Sequence, residues 1–214
     1  MLTASVAEIR KEYMLQSFIE TDAAKNPIEQ FSKWWQEAIN SNIDEINAMT
    51  LATCTPDGKP SARIVLLKDF GAEGFIFFTN YNSHKGKEIA QNPNAALVFF
   101  WKELERQIRI EGTVEKIEAS KSDAYFLSRP VGSRIGAWTS PQSEVIANRE
   151  VLETHEARFK KEFGEQIPRP IHWGGYIVKP SVVEFWQGRT NRLHDRLQYK
   201  QHLNGDWYIQ RLAP

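Results

Sequence analysis

The segment Arg192-Leu193-His194-Asp195-Arg196 places three cationic or titratable side chains within five residues. Alternate residues of a β-strand share one face, so a strand here would project Arg192, His194 and Arg196 together. Like charges on one face repel each other unless an anion lies between them, and this favours an anionic ligand. A solvent-exposed edge strand, whose charges prevent pairing with another chain, would carry the same pattern. Both interpretations remain open from this segment alone.

Two further segments have cations where an anion could bind. In the strand-like run from Arg63 to Lys68, four apolar residues separate two positive charges, a pattern that also suits a buried strand with charged ends. Asn80 to Lys85 precedes a predicted helix, and the unpaired N–H groups and dipole of a helix N-terminus suit phosphate. Ser83 can cap that helix, although an ordinary capped helix would look the same.

A fourth cluster contains Tyr125, Arg129 and Ser133 at i, i+4 and i+8 spacing, but Pro130 and Gly132 predict a helix break between them. Four clusters suited to anions in one chain favour a ligand with more than one phosphate group, or two phosphorylated ligands.

The composition excludes several classes of protein. The 214 residues include 27 Lys and Arg against 27 Asp and Glu, so charge gives no reason to expect nucleic acid or an anionic membrane surface as a partner. The single cysteine cannot form an internal disulfide. The longest apolar run, 95–101, is far shorter than the ~20 residues of a membrane span. Because Glu8 and Glu12 fall where a signal peptide would be apolar, we expect a cytoplasmic protein.

Familiar nucleotide and metal motifs are missing from the sequence. It has no G-x-G-x-x-G fingerprint and no Walker A loop. His155-Glu156 resembles half of a zinc-binding helix, but Phe159 stands where the second histidine ligand would be. We therefore expect no metal site, and Cys54 in its apolar segment is interpreted as a small core residue.

Apolar spacing and turn residues predict the elements that position these clusters. A helical arm spans about 1–41, with Val6, Ile9 and Tyr13 at helical spacing and a second helix starting at Asn26-Pro27. Further helices are predicted within 83–91, 120–128 and 144–163. Strands are predicted at 48–54, 61–68, 75–79, 95–101, 107–117, 174–179, 192–200 and 207–212. Short, closely spaced strands favour one mainly β domain over 1–214, an antiparallel barrel or sandwich with peripheral helices (α+β).

The same segments resemble the pyridoxine/pyridoxamine 5′-phosphate oxidase family over nearly the whole chain. The strongest likeness is Glu184-Phe185-Trp186-Gln187, followed after four residues by Arg192-Leu193-His194-Asp195-Arg196. Other family motifs stand in the family order: Arg63 to Lys68, Phe77-Phe78-Thr79-Asn80, Leu104-Glu105-Arg106-Gln107, Ser128-Arg129-Pro130, Ile135-Gly136-Ala137-Trp138 and Arg211-Leu212-Ala213-Pro214.

The resemblance implies a split β-barrel homodimer with FMN at the subunit interface. Arg63 and Lys85 would hold the FMN phosphate. His84 stands next to that phosphate, where many members have Arg, and an imidazole is about half neutral near its reference pKa of ~6.5. The remaining cofactor positions implied by the family are Ile64, Val65, Leu66, Leu67, Lys68, Phe78, Thr79, Gln107, Gln142, Ser143, Trp186 and Arg196.

The resemblance also implies the reaction and the substrate residues. Members oxidise pyridoxine 5′-phosphate and pyridoxamine 5′-phosphate with O2 to pyridoxal 5′-phosphate, and release H2O2 as well as NH3 from the amine. Arg192 and His194 would hold the reacting end of the substrate and serve as catalytic residues. The other substrate positions are Lys68, Tyr125, Arg129 and Ser133, which would grip the substrate phosphate, and Arg10 and Tyr13, which would fold over the occupied site.

The sequence leaves two alternative functions open. One is a related flavin oxidase of the phenazine-biosynthesis type, whose substrate is not a phosphate ester; the presence of Lys68, Tyr125, Arg129 and Ser133 argues against it. The other is a module that binds FMN or pyridoxal phosphate without turnover, and the presence of Arg192 and His194 argues against that.

Overall fold

The computed structural model describes residues 12–214, so Arg10 and the predicted helical positions Val6 and Ile9 lie outside the described residues. Residues 12–26 contain no helix, and the predicted helical arm is therefore wrong for Tyr13. The physical reason lies in the backbone donors, because the N–H groups of Met14 and Phe18 donate to distant carboxylates and not to helical carbonyls. Between residues 12 and 214, no helix is long and apolar enough to cross a membrane.

The described chain contains helices, strands and two short 3-10 turns. The helices are α1 (Pro27–Asn40), α2 (His84–Gln91), α3 (Ala119–Ser128), α4 (Val131–Thr139) and α5 (Glu150–Phe163). The strands are β1 (Ala48–Cys54), β2 (Pro60–Leu66), β3 (Asp69–Gly71), β4 (Gly74–Asn80), β5 (Asn94–Trp101), β6 (Arg106–Lys116), β7 (Trp173–Gln187), β8 (Asp195–Gln201) and β9 (Trp207–Arg211). The 3-10 turns are Lys102–Leu104 and Thr190–Arg192.

The strands form a sheet with the order β2-β1-β5-β6-β7-β4-β3, in which β8 pairs with both β7 and β9. The pairs β3–β4, β4–β7, β7–β8 and β8–β9 are antiparallel. The predicted fold class, an antiparallel and mainly β structure with peripheral helices, is confirmed. The predicted break between α3 and α4 is also confirmed, since Arg129 and Pro130 separate the two helices.

Two predicted strands differ from the structure. The strand predicted at 174–179 continues to Gln187, past Pro180. The strand predicted at 192–200 begins only at Asp195, because Asn191 and Arg192 have positive φ angles of 54° and 61°, which no extended strand can include. The helix predicted within 144–163 begins at Glu150.

The described chain has two compact units. The cavity unit comprises 50–96 and 112–180, and the arm unit comprises the described part of 1–49 with 97–111 and 181–214. That 1–214 forms a single domain stays a prediction.

Aromatic packing forms the core of the arm unit. Helix α1 starts at the predicted place, since the Asn26 side chain accepts from the Glu29 N–H at 2.9 Å and Pro27 is the first helical residue. The helix buries Phe31 completely, and its ring lies 5.3 Å from Phe99 and 6.2 Å from Trp101. This packing fixes α1 on β5, the strand that contains Phe99 and Trp101.

A second apolar cluster forms in the cavity unit. Its buried members are Phe126, Ile135, Ile167 and Trp173, and Tyr125 and Phe78 pack against them. Because Phe126 and Ile135 come from α3 and α4, the cluster fixes the two helices on either side of Arg129.

Candidate active site

The cavity unit contains an open cavity of about 980 Å³. Strand β2, the end of β4, the start of α2, helices α3 and α4 and the loop after α4 all contribute to its wall. Most of the residues singled out from the sequence in these segments line the cavity: Arg63, Ile64, Val65, Leu66, Lys68, Phe78, Thr79, His84, Lys85, Tyr125, Arg129, Ser133, Gln142 and Ser143. Leu67 does not, since its side chain points into the core and is 4% exposed.

Lys85 provides a buried positive charge in this wall. Its side chain is buried, and the ammonium donates to Thr79 Oγ1 at 3.2 Å, Ser83 Oγ at 3.3 Å and Gln142 Oε1 at 3.4 Å. All three acceptors are neutral oxygens, and burial together with the nearby charge of Arg63 lowers the pKa of Lys85. Burial of a cation is costly without an opposite charge, so this environment favours an anionic ligand.

The start of α2 adds backbone donors at the same place. Ser83 caps the helix by accepting from the Gly86 N–H. Gly86 is required here, because a Cβ at this position would lie 2.1 Å from the Tyr81 carbonyl oxygen. The N–H groups and the positive dipole end at a helix N-terminus suit a phosphate, and an anion site at this segment stays a prediction.

A buried carboxylate orients the second cation, Arg63. Glu88, which is 3% exposed, accepts from Thr53 Oγ1 at 2.5 Å, from Ser61 Oγ at 2.6 Å and from the Arg63 guanidinium at 3.3 Å. Burial would raise the pKa of Glu88, but the hydrogen bonds from Ser61, Thr53 and Arg63 and the charge of His84 together lower it. The ionised carboxylate also lies 3.3 Å from His84 Nε2. Glu88 therefore holds Arg63 in a fixed orientation beside the cavity.

The alternating exposure of β2 decides between the two interpretations of its sequence. The strand is not buried, and Ile64 and Leu66 are 65% and 38% exposed. Within one copy of the chain, 63–68 is therefore not a buried strand with charged ends.

Stacked aromatic rings form another part of the wall. The rings of Phe78 and Tyr125 lie 3.9 Å apart and nearly parallel, and Trp173 stacks on Phe78 at 5.5 Å. The Arg129 guanidinium lies 4.5 Å from the Trp173 ring, in cation–π geometry. Its Nη1 atom is buried and has no hydrogen-bond partner among residues 12–214, and burial lowers the pKa of Arg129. A buried guanidinium donor in a cavity wall is suited to an anion.

The arm unit holds a second cluster of predicted residues. The Trp186 ring lies 4.6 Å from His194 and 5.7 Å from Tyr13, which itself lies 5.9 Å from His194. Trp186 and Arg196 are opposite each other in the β7–β8 register. Gln107 on β6 is also in this unit, and neither it nor these ring residues line the cavity described above.

Hydrogen bonding defines the state of His194. Its Nδ1 accepts from the Arg189 N–H at 3.1 Å, so in the neutral ring the proton is assigned to Nε2. Burial lowers the pKa of His194, and the charges of Arg192 and Arg196 add to the effect. The neutral imidazole can therefore donate a hydrogen bond from Nε2 near neutral pH.

The two arginines beside His194 do not share a strand face with it. Arg192 ends the 3-10 turn and is exposed, whereas Arg196 belongs to β8. Arg196 donates from Nε to Glu184 Oε1 and from Nη1 to the Ala213 carbonyl, both at 2.8 Å. The Glu184 hydrogen bond raises the pKa of Arg196. The prediction of one cationic strand face at 192–196 is wrong, because the positive φ angle of Arg192 keeps the strand from starting before Asp195.

Sequence reasoning missed three supporting residues. Trp173 was not singled out, although the Trp-Gly-Gly run at 173–175 is an unusual start for a strand. Glu88 and Glu184 each hold an arginine, but an isolated glutamate in a helix or a strand gives no signal of such a role. Among residues 12–214, no group of three or more His, Cys, Asp or Glu side chains is placed to hold a metal ion.

Family models match most of the chain. The model for pyridoxamine 5′-phosphate oxidase matches residues 35–161, and the model for the pyridoxine 5′-phosphate oxidase C-terminal dimerisation region matches residues 173–214. A pyridoxine/pyridoxamine 5′-phosphate oxidase from Cupriavidus metallidurans is 57% identical over 209 residues, 98% of this chain and 99% of that protein. The one from Nostoc punctiforme is 58% identical over 211 residues, again 98% and 99%.

Solved structures show the same fold. PhzG from Burkholderia lata, in complex with tetrahydrophenazine-1-carboxylic acid, has a TM-score of 0.88 at 33% identity and covers 94% of this chain and 99% of its own. A pyridoxamine 5′-phosphate oxidase-related, FMN-binding protein from Nostoc punctiforme has a TM-score of 0.71 at 18% identity, with 90% and 100% covered, and shows the fold alone. Since both the family models and near-full-length relatives match, the chain belongs to the pyridoxamine 5′-phosphate oxidase family of oxidoreductases.

Proposed function

We propose that this chain is an FMN-dependent oxidase that converts pyridoxine 5′-phosphate and pyridoxamine 5′-phosphate with O2 to pyridoxal 5′-phosphate. The products also include H2O2 and, when the amine is the substrate, NH3, which is released as water supplies the aldehyde oxygen. The observation that carries the proposal is the buried Nη1 atom of Arg129, which has no partner among the described residues and belongs to the wall of the same cavity as Lys85. Two cationic positions in one cavity suit two phosphorylated ligands. We place this activity in the cytoplasm.

The residues present fit the phosphate of FMN. Lys85 is a buried cation with neutral partners, Arg63 is held beside it, and the N-terminus of α2 adds N–H donors. The cavity of about 980 Å³ is at the upper end of the roughly 300–1,000 Å³ of ligand sites, which suits a large cofactor. Lys85 and Arg63 would bind the phosphate, and His84 would add a contact whose charge depends on pH.

Arg129 would bind the phosphate of the substrate, together with Lys68, Tyr125 and Ser133, which line the same cavity. The stack of Phe78, Tyr125 and Trp173 keeps the Arg129 guanidinium in place. Binding energy at the phosphate, remote from the reacting carbon, then orients the substrate for reaction.

The redox chemistry belongs to the cofactor. When bound, FMN would supply the two-electron chemistry through which the C4′ carbon of the substrate is oxidised and O2 is reduced to H2O2. The protein has to orient the substrate and provide hydrogen bonds. The neutral His194 would donate from Nε2 to the substrate, while its Nδ1 accepts from the Arg189 N–H. Arg192 adds a cation and a planar group that can cover the substrate ring.

A homodimer with FMN at the subunit interface belongs to the same proposal. Residues 173–214 match the dimerisation region of the family, and β2, which lines the cavity, exposes Ile64 and Leu66. Burial of these two side chains by a second copy would stabilise association. The cavity of one subunit would then be completed by residues of the other.

Two alternatives have weaker support. The similarity to PhzG at 33% identity favours a flavin oxidase of the phenazine type, but Arg129, Lys68 and Ser133 in the cavity wall suit a phosphate ester. A non-catalytic binding module does not account for His194, which is held with one ring nitrogen available to a ligand.

We expect the purified protein to be yellow and to release FMN, not FAD, on denaturation. Anaerobic addition of pyridoxine 5′-phosphate should bleach the oxidised flavin band, and air should restore it. The measurement is an absorption spectrum with chromatography of the released flavin. Stoichiometric FAD, or a flavin band that no B6 phosphate bleaches, would contradict the proposal.

Replacing Lys85 by Met should weaken FMN binding by about 10- to 150-fold, because a charge-assisted contact contributes roughly 1.5–3 kcal/mol. Riboflavin, which lacks the phosphate, should bind the variant and the parent equally. Titration of the apoprotein, followed by flavin fluorescence, measures both. Lys87→Met on the exposed side of α2 is the matched control. An equal loss for riboflavin would show that Lys85 does not contact the phosphate.

Replacing Arg129 by Leu should raise KM for pyridoxine 5′-phosphate about 10- to 150-fold, for the same energetic reason. Unphosphorylated pyridoxine should be a poor substrate of the parent and be little affected by the change. Steady-state kinetics on both substrates give the comparison, and Lys121→Leu on exposed α3 is the control. If the parent turned over pyridoxine as well as its phosphate, the substrate assignment would be wrong.

Replacing Arg192 by Leu or His194 by Asn should slow flavin reduction and leave FMN content unchanged. We expect a loss on the order of 10²-fold for His194→Asn, and a larger loss for Arg192→Leu. Because the pKa of His194 is lowered, the parent rate should fall only at pH values below the ordinary titration range of histidine. Anaerobic stopped-flow mixing with pyridoxine 5′-phosphate measures the rate, and His202→Asn is the control. If both variants reduced the flavin at the parent rate, Arg192 and His194 would have no role in the chemical step.

A further inference from the structure

Glu105 holds the segment that follows Tyr13. Its Oε2 atom accepts from the Met14 N–H at 2.9 Å and from the Leu15 N–H at 3.2 Å. Glu105 is 2% exposed, whereas the side chains of Met14 and Leu15 are 71% and 58% exposed. The segment is therefore anchored at this point through its backbone, by a buried carboxylate, and not through burial of its own side chains.

The backbone of Glu105 is bound to the loop that holds His194. Its carbonyl accepts from the Gly188 N–H at 2.8 Å. The next residue, Arg189, donates its N–H to His194 Nδ1. One residue thus contacts the segment carrying Tyr13 through its side chain and the loop that orients His194 through its backbone.

Gly188 allows the Tyr13 ring to approach this loop. A Cβ at Gly188 would lie 2.7 Å from Cγ and 2.8 Å from Cβ of Tyr13, closer than side chains tolerate. The Tyr13 ring therefore lies directly over the Gly188 Cα atom. From there it reaches Trp186, in an edge-to-face contact at 88°, and His194.

We propose that Glu105 is a positioning residue for substrate binding, which together with Gly188 fixes the Tyr13 ring against Trp186 and His194. This inference rests on the proposed function, in which His194 faces the substrate, and on the substrate position that the family resemblance implies for Tyr13. Downstream, Asp195 Oδ2 accepts from the Phe18 N–H at 3.1 Å, so the segment is held independently at a second point. Loss of the Glu105 contact should release Tyr13 without releasing Phe18.

Two variants perturb the contact from opposite sides. Glu105→Ala removes the acceptor, and Gly188→Ala inserts a methyl group under the Tyr13 ring. Each should raise KM for pyridoxine 5′-phosphate about 10-fold and change the rate of flavin reduction at saturation by less than about twofold. Glu105→Gln, which keeps an acceptor oxygen, should restore most of the affinity. The matched control is Glu103→Ala, because Glu103 is exposed in the 3-10 turn Lys102–Leu104, which ends directly before Glu105.

Two measurements without substrate separate positioning from a general loss of structure. Hydrogen exchange of the holoprotein should show faster exchange at Met14 and Leu15 in Glu105→Ala, with Phe18 still protected. NMR titration of His194 should show a rise in its pKa toward the ordinary value, because release of Tyr13 reduces the burial that lowers it. The charged groups beside His194 are Arg192 and Arg196, with Asp195 paired to Arg189 and Arg211, and no variant changes them.

The outcomes are distinct. The proposal is supported by a raised KM and a shifted His194 titration in both Glu105→Ala and Gly188→Ala, together with faster exchange at Met14 and Leu15 in Glu105→Ala. A parental KM and a parental His194 titration in Gly188→Ala, or equal effects in Glu103→Ala, overturn it. If Glu105→Ala fails to fold, Gly188→Ala and Glu105→Gln still decide the question. If the parent itself does not oxidise pyridoxine 5′-phosphate, the proposed function fails, whereas the exchange and titration results still test the role of Glu105.

Discussion

The buried ammonium of Lys85 and the buried Nη1 atom of Arg129 lack carboxylate partners in the described structure, and the rest of the cavity unit is arranged around them. Lys85 donates only to neutral oxygens, and Arg129 keeps a buried nitrogen without a protein acceptor between residues 12 and 214. Such groups destabilise a fold unless a ligand of opposite charge compensates for their burial. The burial of these positive groups therefore lowers the stability of the cavity unit without a ligand, and it suits the anionic ligands proposed above.

Acidic residues hold the other functional groups in place. Glu88 orients Arg63, Glu184 orients Arg196, and Glu105 anchors the backbone after Tyr13. All three carboxylates are nearly completely buried. Hydrogen bonds or an ion pair compensate for the desolvation of each carboxylate. These contacts restrict the arginine or the backbone segment that it binds to one orientation. The formal net charge of zero is thus compatible with local sites of strong positive potential.

Glycine and positive-φ residues decide where backbone and side chains approach one another. Gly86 lets the first turn of α2 pack on the Tyr81 carbonyl, and Gly188 lets Tyr13 lie on the loop beside His194. Arg192 has a φ angle of 61°, which ends the turn before β8. A side chain or an extended backbone at these positions would displace the groups that form the candidate site.

The sequence by itself determined most of the strands and helices, the family and most of the cavity wall, but it did not predict β3 or α4. Apolar alternation and capping residues act locally, so the start of α1 at Pro27, strand β1 at 48–54 and a helix break at Pro130 were predicted correctly, whereas Gly132 lies within α4. Only the tertiary structure decided the orientation of His194, the turn at Arg192 and the roles of Trp173, Glu88 and Glu105. These depend on contacts between residues distant in the chain, such as Glu105 with Met14, and no local pattern encodes such a contact. The strand face predicted for 192–196 failed for the same reason: side-chain periodicity assumes an extended backbone, and Arg192 does not have one.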